Sequence, residues 1–164
     1  LIRLSDYSGK VLLINWWRSS CGYCQRETPK LVELHKKYRD EGLVVIGVSD
    51  DTADSVANVP GFLKQHGITF PVGLNDQGEF FRDIRSLGSG STPCNYLVSR
   101  SGEITFLGLV RSGEKDWKTI EQAVVTALAQ DHHQETADKY GVYKYLHKPL
   151  DVDEIQEIAR TLLN

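Results

Sequence analysis

The sequence predicts a mixed α/β fold, with parallel strands joined by crossover helices and followed by an antiparallel pair of strands. Continuous apolar runs alternate with amphipathic helical segments early in the chain, and a glycine-containing turn later joins two further strands. Parallel strands need crossover connections, usually helices, whereas a short turn joins antiparallel strands. The predicted order is therefore β-α-β-α, then a β-hairpin and a final helix.

The first predicted unit is a buried strand followed by a helix. Residues 11–17, Val-Leu-Leu-Ile-Asn-Trp-Trp, form a continuous apolar run that is typical of a central strand. After Cys21 comes an amphipathic segment that predicts a helix to about Asp40, ended by Gly42. Its inner face is predicted to hold Leu31, Leu34, His35 and Tyr38. Pro29 lies inside this helix and is expected to kink or restart it.

The second predicted unit repeats this order. Residues 43–48, Leu-Val-Val-Ile-Gly-Val, predict another buried strand. Residues 56–66 are a helix candidate that ends at Gly67, although Pro60-Gly61 interrupts the pattern. Residues 68–72 are expected to form a short extended piece.

The later part of the domain is predicted to hold a hairpin between two helices. A short helix is expected over residues 79–87. Residues 95–98 and 104–109 flank a turn in which Gly102 supplies a positive φ, which is a hairpin signal. A clear helix is predicted over residues 116–129, with one apolar face formed by Trp117, Ile120, Val124 and Leu128.

Composition excludes several functional classes. The chain has 164 residues, of which 40% are hydrophobic and 25% charged, so it can bury one core and is not a disordered chain. The net charge is −3 and Lys and Arg are scattered, which argues against a nucleic-acid partner. No apolar run approaches the ~20 residues of a membrane helix. Because the chain contains no Met, Leu1 is expected to be an interior residue of a longer precursor.

Cysteine usage points to chemistry rather than to a disulfide scaffold. There are three cysteines, and two of them form Cys21-Gly22-Tyr23-Cys24 between the first strand and its helix. The N-terminus of a helix offers free N–H groups and a partial positive charge, which favour a thiolate over a thiol. Cys21, the more exposed cysteine, is predicted to be the nucleophile. Cys24, about one turn further on, is placed to resolve a mixed disulfide.

Two other interpretations of the cysteine pair stay open at this point. A zinc site would need four ligands, yet no second C-x-x-C exists, and His132 and His133 are adjacent, which is poor chelating geometry. The two cysteines could also be buried and inert, although their position between strand and helix argues against this. The prediction is therefore a site with no metal and no other cofactor.

A set of short motifs in chain order resembles one known family. They are Leu4–Lys10, Asn15–Trp17, Cys21–Cys24, Glu27–Pro29, Gly67–Val72, Thr92–Pro93, Tyr96–Val98 and Ser101–Ile104. From about Leu4 to Gln130 the sequence resembles the thioredoxin-like thiol–disulfide oxidoreductases of the TlpA/ResA type. The resemblance implies a thioredoxin-like fold, a mixed sheet flanked by helices.

The resemblance also implies roles for residues around the cysteines. Thr92-Pro93 matches the cis-proline turn that lies beside the cysteine pair and exposes backbone to a substrate peptide. Gly22 and Tyr23, between the cysteines, are expected to tune the redox potential and to contact substrate. Glu27 matches the active-site acid of the family, which passes protons to and from the thiols.

Four positions differ from the pattern of related proteins or have a role that the resemblance leaves open. Asn15 stands where classical thioredoxins carry a buried acid, and an amide cannot relay a proton in that way. Ser20 replaces the Trp that usually precedes the first cysteine, which puts substrate docking in doubt, and Trp17 is expected to be core rather than a replacement. Cys94 directly follows the cis-proline position; it is either a buried small hydrophobe or a thiol that faces the pair.

The C-terminal segment, residues 131–164, is predicted to be an extension appended to a domain of residues 1–130. A strand over residues 140–146 and a helix over residues 151–163 resemble the end of a two-component receiver domain, with Lys148 before a proline. The alternative is a helix packed on the core with Lys148 merely exposed.

The resemblance implies partners and a location. The partners are a protein disulfide or dithiol substrate and an upstream redox protein, often in cytochrome c maturation. TlpA/ResA-type proteins usually work outside the cytoplasm, whereas the receiver-like segment favours the cytoplasm, so both locations stay open.

Three functions compete on this sequence. The leading hypothesis is a thiol–disulfide oxidoreductase that acts through Cys21 and Cys24. A peroxiredoxin would need P-x-x-x-T-x-x-C, but Ile14 and Arg18 occupy the Pro and Thr positions. A non-enzymatic interaction or signalling module would use the receiver-like segment and tolerate loss of both cysteines. The sequence leaves the oligomeric state and the direction of electron flow open.

Overall fold

A computed structural model describes residues 2–75, 91–108 and 114–139. The chain divides into two units, Leu1–Ala129 and Gln130–Asn164. The first unit holds the sheet and the candidate active site. Of the second unit, only residues 130–139 are described, and they are helical. The predicted helix over residues 79–87 and the strand and helix predicted after residue 139 lie outside the described residues.

The described part of the first unit contains a five-stranded mixed sheet with helices. The strands are β1 (Val11–Trp17), β2 (Leu43–Ser49), β3 (Val72–Leu74), β4 (Cys94–Val98) and β5 (Ile104–Gly108). The helices are α1 (Gly22–Tyr38), α2 (Val59–His66) and α3 (Glu114–Lys139), and α3 continues past Ala129, the last residue of this unit. The strand order is β3-β2-β1-β4-β5. β1, β2 and β3 are parallel, and β4 and β5 run antiparallel to their neighbours, which confirms the predicted mixed α/β fold.

The sheet brings three chain segments to one edge. β1 is buried along its whole length and pairs in parallel with β2, so that Trp17 and Ser49 end together. Cys94, the first residue of antiparallel β4, pairs with Trp16. The chain that leaves β1, the chain that leaves β2 and the chain that enters β4 therefore meet at the edge where α1 begins.

Helix α1 differs from the prediction at its proline. The helix runs without interruption through Pro29, so the expectation that it restarts there is wrong. A proline in the helix interior removes a single backbone donor. The buried face on both sides of it, which includes Cys24 before it and Leu31 after it, holds the helix on the sheet. A short 3₁₀ turn, Arg39–Glu41, follows, and Gly42 ends it with a φ of 103°.

In the second crossover, both the helix and the strand after it begin later than predicted. Residues 56–58 form a 3₁₀ turn and α2 starts at Val59, because Pro60 fits the first helical turn, where no N–H donor is needed. Gly67 caps α2 in the left-handed region, as predicted. The short extended piece predicted over residues 68–72 overlaps the observed strand β3 only at Val72, where the strand begins. Pro71, just before it, has no N–H to donate to a sheet ladder.

The hairpin is confirmed, and the last helix is longer than predicted. β4 and β5 are joined by a turn in which Gly102 has a φ of 89°. The predicted apolar face of α3 is buried. The helix continues past the predicted end at Ala129 to Lys139, since no glycine or proline lies between these residues to stop it.

Buried side chains lie on both faces of the sheet. One face packs against α1 and α3 in a cluster that includes Leu13, Leu31, Val45, Leu97 and Ile120. The other face of β1 and β4 carries Leu12, Ile14, Trp16, Cys94 and Tyr96. Within the described ranges, no helix has the length and apolar character that a bilayer crossing requires.

Candidate active site

Cys21 and Cys24 form a disulfide at the N-terminus of α1. Their Cα atoms are 5.2 Å apart. Cys21 is half-buried and is the N-cap of the helix, where its Sγ accepts a hydrogen bond of 3.1 Å from the Cys24 backbone N–H. Cys24 is only 2% exposed and packs against Trp17, Val59 and Phe62. The first cysteine is therefore the accessible sulfur, and the second is shielded from solvent.

Asp51 anchors the loop that leads to Cys21. The backbone N–H and the hydroxyl of Ser19 donate to its carboxylate at 2.9 and 2.6 Å, and the Ser49 hydroxyl donates at 2.7 Å. Burial by itself raises the pKa of Asp51, but the hydrogen bonds from Ser19 and Ser49 outweigh it and hold the pKa below its usual value. The carboxylate of Asp51, which follows β2, thus fixes the backbone two residues before Cys21.

A second, more exposed contact holds the same loop. Arg18 forms an ion pair with Asp50, and Asn75 donates to the other oxygen of Asp50 at 2.9 Å. The backbone N–H of Asp50 also donates to the Trp17 carbonyl at 2.8 Å. The chain that leaves β1 is therefore tied to the chain that leaves β2 by both side-chain and backbone bonds.

Glu27 is a buried carboxyl on the helix that carries the cysteines. It follows Cys24 by three residues and is equally buried, at 2% exposure, so both side chains lie on the inner face of α1. Burial raises the pKa of Glu27 to about 7, although hydrogen bonds from Asn95 and Asn15 act to lower it. A carboxyl with this pKa can both take up and release a proton near neutral pH.

The Thr92–Pro93 peptide bond is cis, as the resemblance implied. Pro93 is buried and directly precedes β4. Because Cys94 pairs with Trp16 near the end of β1, this turn lies at the same edge of the sheet as the loop to Cys21.

Gly22 and Tyr23 occupy the open side of the pair. Gly22 has free space where a side chain would begin. Tyr23 is 53% exposed, and the guanidinium carbon of Arg26 lies 4.4 Å from the centre of its ring. The two residues therefore form the accessible surface next to Cys21.

The structure shows the surroundings of two residues that the sequence left open. Cys94 is buried in the cluster with Trp16 and Tyr96, on the sheet face opposite to its neighbour Asn95, so it packs as a small buried residue. Trp17 is 3% exposed and stacks on Phe62, which confirms it as core.

Sequence reasoning missed Asn95, Ser19 and Asp51. Each is a polar residue inside or next to an apolar strand and is buried in the structure. A polar side chain in such a run is a signal in itself, since burial requires a hydrogen-bond partner. The partners lie far away in sequence, however, and only the fold identifies them. In the part of the chain that is described, no three His, Cys, Asp or Glu side chains are grouped to hold a metal ion.

The strand order, the cis-proline and the cysteine pair together define a thioredoxin-like fold. Residues 1–107 match the AhpC/TSA family, and the chain belongs to this family. It is 32% identical over 103 residues to the thiol-disulfide oxidoreductase ResA of Bacillus thuringiensis subsp. konkukian, and 33% identical over 103 residues to that of Bacillus anthracis. In each case the match covers 63% of this chain and 57% of the relative. The chain therefore spans less than two thirds of these relatives.

Solved structures share this fold. A protein from Chlorobium tepidum assigned as thiol:disulfide interchange protein DsbE has a TM-score of 0.69 and 27% identity, over 77% of this chain and 86% of that one. A thiol:disulfide interchange protein of the thioredoxin family from Chlorobium tepidum TLS has a TM-score of 0.64 and 22% identity, over 76% of this chain and 83% of that one. The predicted fold class and the resemblance to TlpA/ResA-type proteins are confirmed.

Proposed function

We propose that this protein is a thiol–disulfide oxidoreductase that exchanges a dithiol for a disulfide with a protein substrate. The observation that carries the proposal is the Cys21–Cys24 disulfide at the N-terminus of α1, with one sulfur accessible and the other buried. The similarity to ResA and DsbE proteins supports the same class of reaction.

The reaction runs in two exchanges. The Cys21 thiolate attacks a substrate disulfide; a bond forms between Cys21 and one substrate sulfur, and the other substrate sulfur leaves as a thiolate that takes a proton. Cys24 then loses its proton and attacks Cys21 Sγ, which releases the second substrate sulfur. The protein pair gives up two electrons and becomes the disulfide, and the substrate disulfide becomes a dithiol. The reverse sequence oxidises a substrate dithiol.

Glu27 is the proposed acid–base group for Cys24. Its burial beside Cys24 on one face of α1 and its pKa of about 7 suit a carboxylate that takes the Cys24 proton before the second exchange. Thr92 and Pro93 are proposed to align a substrate backbone, and Gly22 and Tyr23 to contact it beside Cys21.

The remaining assignments are also proposals. A protein substrate, an upstream redox partner, a role in cytochrome c maturation and a location outside the cytoplasm follow from the TlpA/ResA resemblance. A thioredoxin-like domain of residues 1–130 with an appended segment of residues 131–164 is proposed on the same basis. Peroxidase activity is not proposed, because Ile14 and Arg18 replace the residues that activate a peroxidatic cysteine.

Cysteine substitutions test the proposal. Wild type should reduce insulin disulfides, Cys21→Ser should not, and Cys24→Ser should accumulate a mixed disulfide with the substrate. Cys94→Ala is the matched control; it should behave as wild type, because Cys94 faces the other side of the sheet. If neither wild type nor Cys24→Ser forms a thiol adduct, the proposal is wrong.

A further inference from the structure

Two amide side chains hold one oxygen of Glu27. Asn15 Nδ2 and Asn95 Nδ2 both donate to Glu27 Oε1, each at 2.7 Å. Asn15 Nδ2 also lies 3.0 Å from Asn95 Oδ1, which links the two amides. Glu27 Oε2 is buried and has no hydrogen-bond partner among the residues that the structure describes. The two carboxyl oxygens therefore have very different surroundings.

The sheet, rather than the helix, creates this asymmetry. Asn15 in β1 and Asn95 in β4 are directly opposite each other in the antiparallel register, and both are buried. Side chains at such positions point to the same face of a sheet, so both amides meet the inner face of α1. Neither residue lies within reach of Glu27 along the chain, since they are 12 and 68 positions away.

An oxygen that accepts two N–H bonds is a poor place for a proton. A hydrogen on Oε1 would point at amide hydrogens and would cost at least one of the two bonds, whereas a hydrogen on Oε2 disturbs neither. When Glu27 takes up a proton, the new O–H bond therefore forms at Oε2. This also gives Asn15 a role: a carboxylate at that position could not donate to Oε1.

We propose that Asn95, together with Asn15, is a positioning residue for thiol–disulfide exchange, because it clamps Glu27 Oε1 and leaves Oε2 as the oxygen that exchanges the proton with Cys24. In that step the Cys24 S–H bond breaks, an O–H bond forms at Oε2, and the amide hydrogens stay in place. No electrons are transferred in it. The inference rests on the proposed function, which assigns the proton transfer to Glu27.

The ionisation of Glu27 in the oxidised protein tests the clamp directly. The carboxyl carbon of Glu27, labelled with ¹³C and assigned with Glu27→Gln, is followed by NMR as a function of pH. Asn95→Leu removes the amide donor at similar volume, and we expect its titration midpoint to rise by about one pH unit, because one hydrogen bond to the charged form is lost. Cys94→Ala, on the same strand but the opposite face, should leave the midpoint unchanged.

A second variant and a second readout complete the test. If Asn95→Leu does not fold, Asn95→Ala replaces it in the titration, and the midpoint of Glu27 should rise in that variant as well. The pH–rate profile of insulin reduction should move in the same direction. An unchanged midpoint in a folded Asn95 variant overturns the clamp, and a shifted midpoint with an unchanged rate profile overturns its role in exchange. Because the titration uses no substrate, failure of the proposed activity itself is recognised separately.

Discussion

The Sγ atom of Cys21 accepts a hydrogen bond from the backbone N–H of Cys24 at 3.1 Å, so the first cysteine caps the helix that carries the second. A negative charge on Cys21 would be stabilised by this bond and by the partial positive charge of the helix end. The same geometry keeps the two sulfurs within bonding distance. The helix N-terminus thus supplies both conditions that dithiol exchange requires.

Glu27→Gln is expected to stabilise the oxidised protein above neutral pH. Burial raises the pKa of Glu27 from 4.5 to about 7, so the folded protein holds this proton more tightly than the unfolded chain does. The resulting stability is fully present below pH 4.5 and is lost as pH rises through 7, by roughly 3 kcal/mol in total. Gln has no such dependence and can still accept both amide bonds. Urea unfolding at pH 5 and pH 8 checks this; an equal loss of stability in both proteins would contradict it.

Asp51→Asn is expected to destabilise the protein by about 1–3 kcal/mol at pH 7. The NH₂ group of Asn would face an N–H or O–H donor whose hydrogen bond the carboxylate now accepts. The pKa of Asp51 is lowered, so its contribution is present at neutral pH and is lost as pH falls below the usual carboxyl range. Asp50→Asn is the matched control. Its ion pair involves the exposed Arg18, and we expect a loss of under about 1 kcal/mol. Chemical unfolding at pH 7 and pH 3 measures both, and equal losses for the two variants at pH 7 would exclude Asp51 as the main anchor.

Gly22→Ala is expected to be tolerated and Gly47→Ala to be costly. A Cβ at Gly22 meets no atom within 4 Å, and alanine suits a helix better by about 0.5–1 kcal/mol. A Cβ at Gly47 would lie 3.0 Å from the Val72 side chain and 3.1 Å from Trp17 Nε1, so we expect a loss of about 1–3 kcal/mol from overpacking. Thermal unfolding of the pair tests the packing next to the cysteines. A similar unfolding temperature for both variants would argue against tight packing around Gly47.

Tyr23→Ala should weaken substrate binding without affecting the fold. The ring is mostly exposed and its only ring contact among the described residues is Arg26, so stability should change by less than about 0.5 kcal/mol. We expect a higher KM for insulin reduction at an unchanged kcat, because the side chain lies beside Cys21 but not in its chemistry. An unchanged KM would remove Tyr23 from the substrate-contact surface.

The sequence predicts the frame of this site but not its inner contacts. The apolar runs predict β1 and β2, and the position of the cysteines between strand and helix predicts the N-cap. Cys24 and Glu27 are neighbours in sequence, so helical spacing alone places them on one face. The bonds from Asn95 to Glu27 and from Ser19 to Asp51 depend on strand register and on how the chain leaves two adjacent strands. Local patterns carry no such information.

The lengths of the helices also depend on more than local sequence patterns. The apolar periodicity predicts an end of α3 at Ala129, yet the polar residues up to Lys139 are all compatible with a helix. The sequence predicts a kink or a restart of α1 at Pro29, but the helix continues through it. Periodicity identifies the buried face of a helix better than it identifies where the helix ends.

The acidity of the Cys21 thiol tests the central claim most directly. In the reduced Cys24→Ser, Cys94→Ala variant, Cys21 is the sole thiol and the backbone N–H at position 24 is retained. The rate of its alkylation by iodoacetamide as a function of pH gives its pKa. We predict a midpoint clearly below the ~8.5 of an unperturbed cysteine. A midpoint at or above that value would contradict a thiolate stabilised by the helix N-terminus, and with it the proposed mechanism.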